Sequence, residues 1–361
     1  MKRLVISLVL CSFAAFMGFA QTDLQPAAIV KLTKSEPITV KQLKTEAEKL
    51  VRDTLVQNLR RAPTAAEINT AVQNLSAADR RQILDVMINE KLAIQAAEQD
   101  KITVSENEVN QQLQQMRNQM AQSAGRQPTD AEFAAAIKNE TGQELAAFRD
   151  QIRRQALVQK YLVSKKQNVL ETVRSPSEAD IAAFYNNNKS QFVRPETIRF
   201  SMVQVPFTPD RNKARELATR LVQEIGSNAS KFDEAVLKGQ APNSGYQAGD
   251  AGFLPRQAEA QQLMGAEFIN IAFGLKQGEV SRLIEGLQGF QIIKVTETYE
   301  QKFLALDDMV QPGTRVTVRD YINQGLSQQY QQEILARASQ ELVSDLRKGS
   351  PFQVFENNLN W

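Results

Sequence analysis

Hydrophobic and polar positions alternate over residues 27–39 (AAIVKLTKSEPIT), a pattern that predicts a short strand, a polar turn and a second short strand. The period then lengthens: VKQLKTEAEKLVRDTLVQNLRR has the heptad-like spacing of a helix, and helices are predicted to dominate to about residue 190. Their starts carry mechanical signals. Ser76 with Asp79, Ser105 with Glu108, Thr129 with Glu132, Thr141 with Glu144, and Ser175-Pro176 with Glu178 each fit a capping pattern. Within the helix predicted from Ala77 to Gln99, Ile83, Leu84, Met87, Ile88 and Leu92 recur three and four apart and form one core-facing stripe. Glu144 to Val173 reads as a second long helix, with Leu145, Phe148, Ile152, Leu157 and Tyr161 on or near one face. The stretch NQQLQQMRNQMAQSAGRQ is polar enough to predict an exposed surface of flexible, hydrogen-bonding side chains.

The pattern changes near Pro195. Thr197 to Phe207 alternates and is β-rich, Asn212 to Ser227 returns to helix, Lys238 to Gly252 is turn-rich, and Glu285 to Thr298 reads as a hairpin with Gly286 and Gly289 in its turn region. Together these predict a compact α+β module. Residues 303–361 return to helix through DYINQGLSQQYQQEILARASQELVSDLRKG and close on an apolar, aromatic tail ending in Trp361.

Composition narrows the chemistry. The chain has 361 residues, enough for two or three domains, and its formal net charge of +2 is accounted for by Lys2 and Arg3. A formally neutral body without a long basic run argues against nucleic-acid binding, which needs clustered Lys and Arg. Lys2 and Arg3 precede an apolar stretch, Leu4 to Phe19, that is shorter than the roughly 20 residues a spanning helix needs. Residues 1–20 therefore read as a cleaved signal peptide, with cleavage expected after Ala20 and delivery to the periplasm. Cys11 is the single cysteine, so the mature chain is expected to have no disulfide and no thiol nucleophile. Histidine is absent altogether, which removes serine–histidine and cysteine–histidine mechanisms and the commonest metal ligand. No phosphate loop or dinucleotide fingerprint appears, so no nucleotide, cofactor or metal is expected.

Residues 196–300 carry a series of motifs in order: SMVQV in the opening strand, Phe232-Asp233-Glu234-Ala235, Gly249-Asp250-Ala251-Gly252-Phe253, MGAEFINIAF, Gly278-Glu279-Val280-Ser281, and GFQIIKV. In order and spacing they resemble the parvulin peptidyl-prolyl isomerases set within SurA-like and PrsA-like chaperones. LDVMINEKLAIQAAEQDKITVSENEV resembles the chaperone helix that precedes the parvulin insert in that family. The resemblance implies a multidomain α and α+β fold: a helical chaperone domain over 21–193, a parvulin-like domain over 194–301, and a C-terminal helical segment over 302–361 that completes the chaperone core.

A parvulin must seat a proline ring in an apolar pocket and twist an amide whose rotation barrier is about 18–20 kcal/mol. The family's apolar pocket maps onto Met264 and Phe268, four apart and expected on one helix face, with Phe273 beyond them. From the residues alone, such a trio is ordinary core. The family's polar positions, usually histidine, cysteine or aspartate, and histidine, map onto Met202, Pro242 and Gln291. Met202 offers no useful hydrogen bond, Pro242 lacks even a backbone donor, and Gln291 has no titrating proton. Groups of this kind are worth roughly a hundredfold to ten-thousandfold in rate, so weak or absent isomerase activity is expected. Asp250 is expected to close its glycine-flanked turn by accepting backbone hydrogen bonds, and Asp307-Asp308 to be a solvated turn.

The resemblance thus implies an ATP-independent holdase for unfolded envelope polypeptides, with outer-membrane proteins as the family's client pool. Two alternatives stay open: a working prolyl isomerase using Met264, Phe268 and Gln291, and a non-catalytic envelope scaffold or homodimer.

Overall fold

The computed structural model describes residues 23–207, 210–241 and 243–361. The expected signal peptide and Pro242 lie outside the described residues. Two compact units divide the chain: residues 1–173 with 331–361, and residues 174–330.

In the first unit, β1 (Pro26–Val30) and β2 (Glu36–Thr39) form an antiparallel pair, and β1 pairs on its other side with β9 (Phe352–Val354), giving a three-stranded sheet in the order β2-β1-β9. Six helices follow β2: α1 (Val40–Leu59), α2 (Ala65–Gln73), α3 (Ala77–Gln99), α4 (Glu106–Ala124), α5 (Asp130–Thr141) and α6 (Leu145–Leu170). The core is filled from both ends of the sequence. Ala27, Val30, Ile38, Leu43, Leu84, Ile88 and Leu92 pack in one cluster with Ala338, Leu342, Leu346 and Leu359. A smaller cluster of Val109, Leu113, Phe133, Ile137, Phe148 and Ile152 joins α4, α5 and α6.

Local signals explain most helix starts. Ser76/Asp79, Ser105/Glu108 and Thr129/Glu132 form complete capping boxes, as do Thr39/Gln42 and Thr64/Glu67. Two expected starts are displaced. Thr141 is the last residue of α5, closed by Gly142 at φ +73°, and α6 begins after Glu144 without a side-chain cap. Helix α7 (Glu178–Asn187) is capped by Ser177 with Asp180 rather than by Ser175 with Glu178.

One buried polar side chain ties sheet to helix. Gln95 on α3 is fully buried, and its Oε1 accepts hydrogen bonds from the backbone N–H groups of Leu32 and Thr33 at 3.1 and 3.2 Å. Its Nε2 donates to the Lys34 carbonyl at 3.0 Å. The β1–β2 turn therefore finds on α3 the partners that its own geometry leaves unmet.

The second unit is wider than the span 194–301, because α7 and residues 302–330 cluster with it. Ile181 and Phe192 pack there with Leu304, Val318, Ile322 and Leu326. Helix α12 (Val318–Leu346) gives its residues to 330 to this unit and the remainder to the first. A two-stranded pair, β3 (Val193–Arg194) with β8 (Lys302–Phe303), precedes and follows the main sheet in sequence. That sheet has the order β5-β4-β7-β6 and is antiparallel throughout: β4 (Thr197–Pro206), β5 (Gln247–Pro255), β6 (Ile284–Glu285) and β7 (Gly289–Tyr299). Residues 247–252, expected in a turn-rich segment, are strand. A bulge opposite Phe200 and Ser201 absorbs Ala251, and Gly252 takes φ +80°.

The sheet alternates as a two-faced strand set must. Val203, Val205, Phe290 and Ile292 pack on one face against α8 (Arg211–Ile225) and α9 (Ala229–Gly239). Ile198, Phe200, Ile293 and Val295 pack on the other against α10 (Ala258–Met264) and α11 (Ala266–Ala272).

Replacing Gln95 by leucine removes three part-buried hydrogen bonds to the turn, each worth about 1 kcal/mol net. The Gln95→Leu chain is expected to lose roughly 3 kcal/mol from the first unit, read as an earlier transition in urea unfolding followed by circular dichroism.

Candidate functional site

The expected proline-binding residues converge on the face of the sheet covered by α10 and α11. Met202 lies at the centre of β4, opposite Ile293 on β7 and Gly249 on β5. Gln291 is opposite Gln204, so Met202 and Gln291 are diagonal neighbours on one face. Met202, Met264 and Phe273 are half-buried and pack against the cluster that contains Phe268. Met264 and Phe268 do not share a helix, contrary to the spacing argument. Met264 ends α10, Gly265 breaks the chain at φ +90°, and Phe268 belongs to α11. The break lets two short helices take different angles over the sheet, which one continuous helix could not do.

Phe268 is only 1% exposed, with its ring edge-on to Phe200 at 5.7 Å between centroids. Gln291 is 6% exposed, and its Oε1 is buried without a hydrogen-bond partner among the described residues. The amide lies directly beneath Gly286, where an added Cβ would stand 2.7 Å from that oxygen. Glycine at 286 is therefore the condition for Gln291 to occupy this position. The Gly278–Ser281 motif is edge pairing. Ser281 N–H donates to the Ile293 carbonyl at 2.8 Å, Gly278 N–H to the Val295 carbonyl at 2.8 Å, and Ser281 Oγ accepts from Ile293 N–H at 3.0 Å.

Of the polar groups near this sheet, Asp250 is committed to structure. Arg199 donates to it at 2.6 Å and the Gly252 N–H at 2.9 Å, and the two hold its carboxyl below the usual range. The expected backbone bond exists, in a strand bulge rather than a turn. Asp308 accepts from Lys302 Nζ and from Ala305 N–H, each at 2.7 Å, while Asp307 accepts from Arg319. Among the described residues no group of three or more acids, histidines or cysteines is placed to hold a metal.

A second feature, without a single-residue signal in the sequence, is a groove of about 530 Å³ in the first unit. Ile38, Met87 and Ile94 supply apolar lining, and Glu36, Lys41, Glu46, Lys49, Glu90, Lys91 and Arg154 surround them. The charges are largely paired: Glu36 with Lys34 and Lys91 at 2.9 Å each, Glu46 with Lys49 at 3.1 Å, and Glu90 with Arg154 at 3.4 Å. Burial pushes the Glu36 carboxyl up, but hydrogen bonds from Lys34 and Lys91 outweigh it and hold the group at about 2. The groove needs β2, α1 and α3 together, β2 and α3 for its apolar residues and α1 for much of its charge, so no local pattern could announce it.

Comparison with known proteins follows this geometry. A model described as the PPIC-type PPIASE domain matches residues 176–311, and one described as the SurA-like N-terminal domain matches residues 1–162. The foldase protein PrsA of Clostridium botulinum is 23% identical over 287 residues, covering 78% of this chain and 74% of its own. The chaperone SurA of Saccharophagus degradans is 26% identical over 308 residues, covering 82% of this chain and 64% of its own. Among solved structures, one of two SurA-like chaperones of Campylobacter jejuni aligns over 91% of this chain and 98% of its own, at 16% identity and a TM-score of 0.34. PrsA of Bacillus subtilis aligns over 90% and 93%, at 20% identity and a TM-score of 0.23.

A carboxyl depressed in the folded state contributes stability above its unfolded value, near pH 4, and loses it as pH falls through its folded value. For Glu36 that window runs from around pH 4 down to about 2. The wild-type first unit is expected to lose stability across this window more steeply than Glu36→Gln, as measured by thermal unfolding at stepped pH.

Proposed function

The chain belongs to the SurA- and PrsA-like chaperones that carry a parvulin-type domain, and we propose that it works as an ATP-independent holdase whose parvulin domain contributes little or no isomerisation. The observation that carries this reading is the apolar and uncharged character of the family's polar face. Met202 sits in the packed cluster, and Gln291 is a buried amide that can neither give nor take a proton at neutral pH. Phe268 supports it from the other side: a ring 1% exposed, turned from α11 into the sheet, offers a proline nothing to stack on.

Holding requires apolar surface with a polar rim rather than a reacting group. The groove in which the half-buried Met87 and Ile94 stand among charged residues has that composition and suits apolar side chains of an extended client. Clients are unfolded envelope polypeptides in this reading, outer-membrane proteins among them. Export is part of the same proposal, resting on Lys2, Arg3 and the apolar run after them. No helix among the described residues is long and apolar enough to cross a membrane.

The mature chain is expected to suppress aggregation of a chemically unfolded client while leaving prolyl isomerisation, followed in a protease-coupled assay, near its uncatalysed rate. A clear rate enhancement that disappears in Phe268→Ala would establish the isomerase instead. A stable dimer that suppresses nothing would point to the scaffold.

A further inference from the structure

The glutamine-rich stretch does not join the groove just described. Gln111, Gln112 and Gln115 on α4 line a separate cleft with Ala156, Gln159 and Val163 on α6, of about 570 Å³. The positions are those of two facing helical stripes, for 108, 111, 112 and 115 recur three and four apart, as do 156, 159, 160 and 163. Glu108 and Lys160 pair across the cleft at 2.5 Å, which neutralises the two charges that line it. The other polar groups lining it are four solvent-exposed glutamine amides and the Ser164 hydroxyl. None of the side chains of Gln111, Gln112, Gln115 and Gln159 has a hydrogen-bond partner among the described residues, whereas Gln114 donates to Asn118 at 3.0 Å and Gln143 to Gln151 at 2.7 Å.

We propose that this cleft binds the main chain of an extended client segment through its four glutamine amides. The proposal rests on the chaperone reading above and adds to it a second kind of contact. A glutamine side chain carries the donor and acceptor of a peptide group, so it can pair with main-chain N–H and C=O whatever side chains the client has. Sequence tolerance of this kind suits a holdase, while the uncharged cleft selects neither acidic nor basic segments. The stripe from residue 108 to 115 is about 10 Å long at helical rise, the length of about three extended residues. Val163, 47% exposed, adds an apolar contact for one client side chain.

The test uses the full mature chain and a fluorescein-labelled peptide of alternating serine and leucine, with a counterpart N-methylated at three central amides. Binding is read by fluorescence anisotropy for wild type and for the fourfold variant Gln111→Ala, Gln112→Ala, Gln115→Ala, Gln159→Ala. These exposed helical sites favour alanine, and circular dichroism verifies that the variant folds. An extended segment turns alternate N–H groups to one side, so only one or two of the three methylated amides face the cleft, and wild type is expected to bind the N-methylated peptide about tenfold more weakly. The variant is expected to bind the unmodified peptide about tenfold more weakly and to be indifferent to methylation. A variant that binds like wild type and keeps its sensitivity to methylation overturns the cleft, and so does a wild type that does not bind the peptide. Aggregation suppression measured on the same two proteins separates the outcomes: if wild type still suppresses, the holdase reading stands without the cleft, and if it does not, both fall.

Discussion

The pairing of β1 with β9 is the constraint on which the architecture rests. It brings residues 26–30 and 352–354 into one antiparallel sheet, so the chain that leaves the first unit after residue 173 must come back to it at 331. The same closure is repeated in the core, where Ala27 and Val30 share a cluster with Leu342, Leu346 and Leu359. An intervening module is tolerated because it brings its own sheet and its own two apolar faces. Fold closure here is a long-range event, costly in chain entropy and recovered only through burial.

In the second unit, the sheet holds an apolar residue and an amide side by side. Met202 packs against the cluster under α10 and α11. Gln291 keeps a buried amide oxygen that has no hydrogen-bond partner among the described residues. It lies in a domain whose remaining motifs are structural: Gly278–Ser281 pairs along β7, Asp250 pins a bulge, and Gly286 leaves room for an amide.

Local physics was the legible part of the sequence. The boxes at Ser76, Ser105 and Thr129 are read correctly because donor and acceptor lie three residues apart. Thr141 misleads because the same residue types also end helices, and only the αL glycine at 142 distinguishes the two cases. The alternation of β4 and the Gly286–Gly289 hairpin were visible, whereas the strand at 247–255 hid behind glycines that serve a bulge. The rest depended on distant partners. Gln95 gives no sign in sequence that it closes a turn some sixty residues earlier, and the Ile38–Met87–Ile94 groove needs three elements in place. For the parvulin face, the family resemblance named the residues, but spacing alone put Met264 and Phe268 on one helix where Gly265 divides them.

That division has a consequence for motion. α10 and α11 are seven residues each, well below the length at which a helix holds itself together in water. Their order therefore comes from the sheet they cover. Phe268 sits on α11 itself, so exposing its ring means parting that helix from Phe200 and the sheet, and ring exposure and loss of local order become one event.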